Sequence, residues 1–557
     1  MKSIKILDLV ILIIFVIAMT FQPFFLHREL NLFELGIYAP GIDAILHGAI
    51  PYRDFFYLRG PVELYVPAFL MTIFGKEMAV LYSYFYFGTV LTLIFCVLIA
   101  REILKERLFL FLCLFVLVGR TFPRVVFTYW GGLRFALGLL AVLFMIQYFK
   151  DQKKRYLIFA GATTALAFLT SPEVGLYSFL AVFFGNSLFD FYQKRGLDHW
   201  FYRTGILCFG LGCIFIPFVL YLFCQQAFFP FLESFQSVSS NMLKIFPQFD
   251  PTPRNFLGYF STMFNPMDKN FRHITLTYLY FALGGYFVFL WRNRKLQNSD
   301  FAVMTLFIYG VGMYISAFRN VWASQFEMAL QPEKLLYFFL LERVYSFLVE
   351  NKGKILPILK IKNTQVLVNG FLVVVVMSSL GYGIARYSSR DFGQRYLLGF
   401  LTGKKIEQMS PLAKESPQAL NIPGLRGLVV PSWQAEEFLS LRKFFDEHTS
   451  VDEKIFVFPE LAIYHFILDR PFVGRFPMTT FSWLNDPWHE ELMMSLRNKP
   501  SQYVIVPKKL TPNFEHIYFR VESNRRKYDQ VRDFIDKNYQ SVYTTKDLIV
   551  LVRKDKV

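Results

Sequence analysis

The residues best equipped for chemistry fall in one short stretch, Asn31 to Gly75, NLFELGIYAPGIDAILHGAIPYRDFFYLRGPVELYVPAFLMTIFG. It concentrates Glu34, Asp43, Arg53, Asp54, Arg59 and Glu63 among apolar and aromatic side chains. A positioned carboxylate can take a proton from a hydroxyl or amine, and a guanidinium pairs bidentately with phosphate oxygens without losing its charge. Charges held beside a membrane are costly unless they face water, a partner or a substrate. The stretch is too polar and too punctuated by Pro and Gly to be a simple span. It reads as an interfacial helix over Tyr38 to His47 and a second interfacial or re-entrant piece over Pro61 to Phe74, a polar floor at the outer membrane surface.

The rest of the chain must hold that floor at a bilayer. Apolar residues make up 54% of 557 positions and charged ones 18%, more greasy surface than one soluble core of this length uses. The 67 Phe and 31 Tyr suit lipid-facing bulk and interfacial anchoring. Runs suited to spanning are 6–26, 78–100, 108–121, 132–149, 156–170, 174–192, 204–224, 274–291, 300–317, 334–349 and 364–385, so an α-helical polytopic protein of about eleven transmembrane helices is expected. No small-residue cleavage site follows the first run, which reads as a retained anchor. With the N-terminus cytoplasmic, the inside loops hold about 19 Lys and Arg in about 50 residues and the outside loops about 11 in about 130. That threading puts residues 27–77 in a first external loop. It also puts the tail from about Arg386 outside or in the periplasm of a multi-pass inner or plasma membrane protein.

The tail, 386–557, changes character. Amphipathic helix candidates Glu436–His448, His489–Asn498 and Asn524–Asn538 alternate with strand candidates Lys454–Phe458, Gln502–Val506 and Leu548–Val552, which predicts a small soluble α/β domain after a membrane domain of residues 1–385. The formal charge of +17 sits mostly in short loops between apolar runs, so nucleic acid is not the expected partner. Cys96, Cys113, Cys208, Cys213 and Cys224 lie in or at the ends of apolar runs and form no disulfide framework. There is no Walker sequence, no G-x-G-x-x-G after a strand and no H-E-x-x-H.

Glu34, Gly36, Ile37, Tyr38 and Ala39, then Gly48, Pro51, Tyr52, Arg53, Asp54, Phe55 and Pro61, with Phe74 and Gly75 closing, follow one another in an order seen elsewhere. In this the chain resembles the GT-C membrane glycosyltransferases, the superfamily of protein O-mannosyltransferases and the lipid A aminoarabinose transferase. The resemblance implies an inverting transfer of a sugar from a polyprenyl-phosphate donor to a glycan, lipid or protein acceptor at the external membrane face. It makes Glu34 the carboxylate base, with Asp54 a second catalytic candidate. Tyr38, Tyr52, Arg53, Arg59, Arg120, Arg124, Arg134 and Arg319 become the candidates for holding substrate, the arginines against the departing lipid phosphate. The chain departs from the pattern where relatives carry an acidic pair, because Leu35 follows Glu34. No cofactor is assigned, and a divalent metal is the one the family admits, with no ligands named.

Plainer readings stand beside these. Glu34 suits a carboxylate at a helix start, Asp54 a structural turn or a partner orienting Arg53, and each arginine a snorkelling anchor. Asp43 reads as solvated and Glu63 as an ordinary first-turn carboxylate after Pro61. Glu173, at the Thr170–Glu173 corner, either reaches the cavity or completes a turn. The long connection Gln225 to His273 suits an unstructured lid over the donor. Two other functions compete. A transporter or flippase for a lipid-linked sugar would use ionisable residues within spans, such as Glu342 and Arg343. A non-catalytic cell-envelope assembly or receptor protein would bind through the tail.

Overall fold

The computed structural model describes residues 6–20, 24–121, 132–245, 271–318, 331–350, 364–388, 398–479, 484–511, 514–515, 518–519 and 521–556. The chain is mostly helical. Long helices come first: α1 (Ile6–Thr20), α2 (Leu32–Leu46), α3 (Val62–Phe74), α4 (Met78–Ile103), α5 (Arg107–Thr121), α6 (Arg134–Asp151), α7 (Lys154–Thr170), α8 (Pro172–Tyr192), α9 (Leu197–Cys224) and α10 (Phe228–Ile245). They continue with α11 (Phe271–Arg292), α12 (Asn298–Phe318), α13 (Gln331–Glu350) and α14 (Thr364–Ser388). A helix thus lies over each apolar run read from the sequence. Among the described residues, 4 helices are long and apolar enough to cross a membrane: Met78–Ile103, Pro172–Tyr192, Leu197–Cys224 and Gln365–Ala385.

Cα packing divides the chain into two compact units, each discontinuous in sequence. The first is Met1–Pro23, Phe85–Ile216 and Pro251–Lys405. Here α6 packs on α7 and α12, α8 on α7 and α12, and α14 on α5. Small residues let backbones approach, as membrane helices require where lipid offers no hydrophobic drive. A Cβ at Gly161 would stand 2.1 Å from the Leu207 carbonyl oxygen, and one at Gly210 would stand 2.2 Å from that of Ile158, so α7 and α9 touch through glycine on both sides. Buried charge in this unit is spent locally. Arg203 pairs with Asp190 and lies 4.6 Å from the Tyr148 ring centre. Glu342 accepts the backbone N–H groups of Lys105 and Glu106 at 2.8 and 2.5 Å, capping the turn into α5, while Arg343 faces Asp300 at 3.7 Å.

The second unit is Phe24–Tyr84, Pro217–Asp250 and Ile406–Val557, so the first loop and the tail fold together. Its tail contributes β1 (Pro417–Ala419), β2 (Val429–Pro431), α15 (Ser432–His448), β3 (Phe456–Val457), α16 (Ile463–Leu468), α17 (Asp486–Asn498), β4 (Tyr503–Pro507), α18 (Glu522–Asn538), β5 (Tyr539–Thr544) and β6 (Leu548–Arg553). A four-stranded sheet runs β3-β4-β6-β5, with β3 parallel to β4 and the other pairs antiparallel, Val504 opposite Leu551 and Ile505 opposite Val550. The three strand candidates fall on β3, β4 and β6. The sequence pattern missed β5, whose YQSVYT is largely exposed at the sheet edge and lacks an apolar face. It missed α16 as well, whose six residues are all buried and show no polar side by which to read a helical period.

Candidate functional site

Helix α2 begins six residues before Tyr38, because Asn31 caps it: its side-chain oxygen accepts the Glu34 N–H at 3.1 Å. That puts Glu34 in the first turn, where a carboxylate is favoured by the helix dipole. Its Oε2 is shut off from solvent. One turn further, on the same helix face and about 6 Å along the axis, stands Tyr38, fully buried. The Arg59 guanidinium lies 5.0 Å from the centre of the Tyr38 ring. A partly desolvated cation over an aromatic face gains roughly 1–2 kcal/mol. Carboxylate and ring therefore follow one another along α2, and the guanidinium, carried on the loop after it, stands over the ring.

The loop that carries Arg59 is set by Tyr52. Tyr52 sits in the left-handed region at φ 71°, is buried, and donates its hydroxyl to the Arg59 carbonyl at 2.5 Å. Its hydroxyl is thus committed to the backbone, and burial holds the phenol well above its ordinary range. Tyr52 is a positioning residue for Arg59. Arg53 and Asp54 form a local fork, with Nε to Oδ1 and Nη2 to Oδ2 both at 2.7 Å, and Asp54 also takes the Ile50 N–H at 2.8 Å. The hydrogen bond from Arg53 holds the Asp54 carboxyl below the usual range, which favours the turn and Arg53-orienting readings over a proton-accepting one. Arg53 Nη1 reaches the Gln225 carbonyl at 3.2 Å.

Other expected residues divide between the units. Arg134 starts α6 in the first unit and donates to Ser171 Oγ at 3.1 Å and to Glu173 Oε2 at 3.3 Å, so the Thr170–Glu173 corner is a partner for this arginine. Arg120 lies at the end of α5, with its side chain outside the described residues, as are Arg124 and Arg319. Glu63 is buried and accepts the Tyr84 hydroxyl at 3.0 Å. The connection expected to be unstructured contains α10, and α10 is docked in the second unit: Trp488 Nε1 donates to Glu233 Oε1 at 2.7 Å, and Asn485 bonds Ser237.

One cluster escaped the sequence. Asp43, read as solvated, is only 14% exposed, and its Oδ1 lies 2.5 Å from Lys76 Nζ. The same Nζ is 2.6 Å from Asp469 in the tail. Burial holds the Asp43 carboxyl above its ordinary range against the opposing pull of Lys76. Burial also works to raise Asp469, but Lys76 outweighs it and the carboxyl lies low. The lysine ties α2 to the end of α16, and Gly36 seats the helix there: a Cβ would stand 3.1 Å from Ile463 N. Gln434 completes the tie by accepting the Leu30 N–H at 2.8 Å and donating to the Leu30 carbonyl at 3.2 Å. Partners 404 residues apart in sequence leave no local signal. Among the described residues no group of three or more His, Cys, Asp or Glu side chains gathers as metal ligands.

If Arg59 holds an anion beside Glu34, Arg59→Ala should weaken donor binding by about 1.5–3 kcal/mol, a factor of roughly ten to a hundred, and Arg59→Lys should recover only part of it. Fluorescence or calorimetric titration of polyprenyl-phosphate sugar into the full chain reads this. Unchanged affinity in Arg59→Ala would make the guanidinium a purely structural prop for Tyr38.

No family model and no curated protein matches the sequence. The fold, however, matches solved structures. ArnT from Cupriavidus metallidurans, a lipid A aminoarabinose transferase bound to undecaprenyl phosphate, superposes with a TM-score of 0.51 at 12% identity, over 97% of this chain and 97% of that one. Its apo form gives the same values of 0.51, 12% and 97%. The Archaeoglobus fulgidus oligosaccharyltransferase in complex with Zn and sulfate superposes with a TM-score of 0.50 at 12% identity, over 98% of this chain and 73% of that one. Both belong to the GT-C superfamily, and the fold of this chain is the GT-C fold.

Proposed function

We propose that the chain is an inverting glycosyltransferase that moves a sugar from a polyprenyl-phosphate donor to an acceptor at the external membrane face. The observation that carries this is the line from Glu34 through Tyr38 to Arg59, built on a helix tied to the tail. Glu34 takes the proton of the acceptor hydroxyl or amine as that atom attacks the anomeric carbon. The bond to the lipid phosphate breaks on the opposite face, and Arg59 meets the charge that develops there. Arg53, oriented by Asp54, and Arg134, held by Glu173, are further phosphate candidates. The fold neighbours add that this architecture accommodates undecaprenyl phosphate in ArnT.

A divalent cation has no acid pair to bind in the first-loop motif, because Leu35 follows Glu34. Adding a chelator while donor loss is followed reads directly whether a divalent cation is needed. A lipid-linked sugar transporter fits less well. The ionisable residues it would use within the helices, Glu342 and Arg343, are spent on a backbone cap and on Asp300.

In this reading residues 1–385 thread the membrane with about eleven crossings, the N-terminus is cytoplasmic, and residues 386–557 stand outside. Lys443 on α15 is 77% exposed, so a Lys443→Cys variant should react with an impermeant thiol reagent in intact cells or spheroplasts. Labelling only after lysis would put the chemistry on the wrong face. The activity itself is tested by incubating purified protein with a panel of polyprenyl-phosphate sugars and following loss of donor by mass spectrometry. Release of polyprenyl phosphate from at least one donor, with sugar gained by an acceptor, is expected. Release from none would overturn the assignment.

A further inference from the structure

We infer that the tail carries a second binding site, for a phosphate monoester, apart from the Glu34 line and independent of whether sugar is transferred there. A cavity of about 320 Å³ opens at the end of the four-stranded sheet where β4 begins and β6 ends. That is the lower end of the range of about 300–1,000 Å³ that small-ligand sites occupy. Lys454, Lys499, Arg553 and Lys556 line it, with Glu453 the one carboxylate in its wall. The cations come from separate places in the fold: Lys454 just before β3, Lys499 at the C-cap of α17, Arg553 ending β6, and Lys556 in the turn that follows. Helix polarity accounts for a lysine at a C-cap, but not for the other three.

Like charges that converge on a concavity repel one another unless an anion joins them. Arg553 pairs through its Nη2 with the exposed Asp555 at 2.8 Å, which leaves its other guanidinium nitrogens for a ligand. The wall also holds Ser501, 3% exposed, whose hydroxyl is closed to solvent and has no hydrogen-bond partner among the described residues. A buried hydroxyl left unsatisfied costs free energy, and turned about its Cα–Cβ bond toward the cavity it would donate to a phosphate oxygen. Three ammonium groups, a guanidinium and a hydroxyl donor match the oxygens of a dianion better than those of a carboxylate. The group could belong to a soluble sugar phosphate or to a lipid headgroup, because the recognised chemistry is the same.

Calorimetry on the full chain in detergent decides this, with inorganic phosphate, glucose 1-phosphate and dioctanoyl phosphatidic acid as probes and glucose as control. Saturable binding of at least one phosphate probe is expected, weakening as salt rises. The exposed triple variant Lys454→Ser/Lys499→Ser/Lys556→Ser should lose roughly tenfold or more in affinity, and Ser501→Ala several-fold, while Arg59→Ala leaves this binding unchanged. Binding of the soluble phosphates assigns the site to a phosphorylated small molecule, and binding of phosphatidic acid alone assigns it to a headgroup. No saturation up to about 10 mM of any probe, equal binding of glucose, or full affinity in the triple variant would overturn the inference.

Discussion

Full chain carrying Glu34→Gln is expected to turn over donor about 10²–10⁴-fold more slowly than the parent, with donor affinity and expression close to normal. The glutamine keeps the size of the side chain and its ability to accept and donate hydrogen bonds, but it takes no proton. An acceptor hydroxyl is a poor nucleophile unless its proton leaves as the new bond forms, so the loss falls on turnover rather than on binding. The N-terminal position on α2 is retained, because the cap is made by Asn31 through the Glu34 backbone and not through the carboxylate. Helix content should therefore not change. Glu34→Asp restores a carboxylate one methylene shorter and should keep more activity than Gln. The measurement is initial rate against donor concentration for the three proteins. A Gln variant with full turnover would remove Glu34 from the mechanism. Asp43 would then be the acid to test, since burial already holds its carboxyl above the usual range, whereas Asp54 is held low by Arg53.

What the sequence made legible follows from the range of each signal. Apolar runs report burial in lipid or core residue by residue, and a helix lies over each of them. The GT-C fold was legible too, through the order of short motifs between Glu34 and Gly75. The residues of the candidate site are local in the same way: Glu34, Tyr38, Tyr52 and Arg59 all fall in one stretch, and the Arg53–Asp54 fork joins neighbours in sequence. What the stretch rests on was not visible. The Lys76 bridge, the Gln434 clip and the seat of Gly36 on Ile463 join residues hundreds of positions apart, and a single sequence carries no record of such pairs. Exposure was misjudged for the same reason. Asp43 looks like a solvent-facing charge on a helix until Lys76 and α16 cover it. The reading of 225–273 as unstructured erred differently, since α10 carries FFPFLESFQSVSS, a pattern with an apolar side that could have been read as an amphipathic helix.

The largest expected effect on stability lies at Arg470, which is 2% exposed and holds together the elements on which α2 rests. Its Nε donates to Thr449 Oγ1 at 2.8 Å, and its Nη1 donates to the carbonyls of Leu468 and Asp469 at 2.9 and 3.1 Å. Its Nη2 reaches the carbonyls of Phe445 and Thr449, both at 3.1 Å, and Asp446 Oδ1 at 3.2 Å. The guanidinium thus satisfies the open C-terminal ends of α15 and α16 at once, a task normally left to glycine caps or water. Arg470→Met fills much of the volume but leaves the Leu468, Asp469 and Thr449 carbonyls without this donor, while Phe445 keeps the Thr449 N–H, and should cost the second unit roughly 3–5 kcal/mol. Because Asp469 follows α16 directly and holds Lys76, the loss should spread to α2 and reduce turnover even where the chain remains folded. Hydrogen exchange on the full chain reads this as faster exchange in peptides over 440–470 and 31–46. Arg470→Lys, with three donors in place of five, should recover only part of the protection. Unaltered exchange in Arg470→Met would mean that water replaces the guanidinium at these helix ends, and that the seat of α2 rests on Gln434 and Lys76 alone.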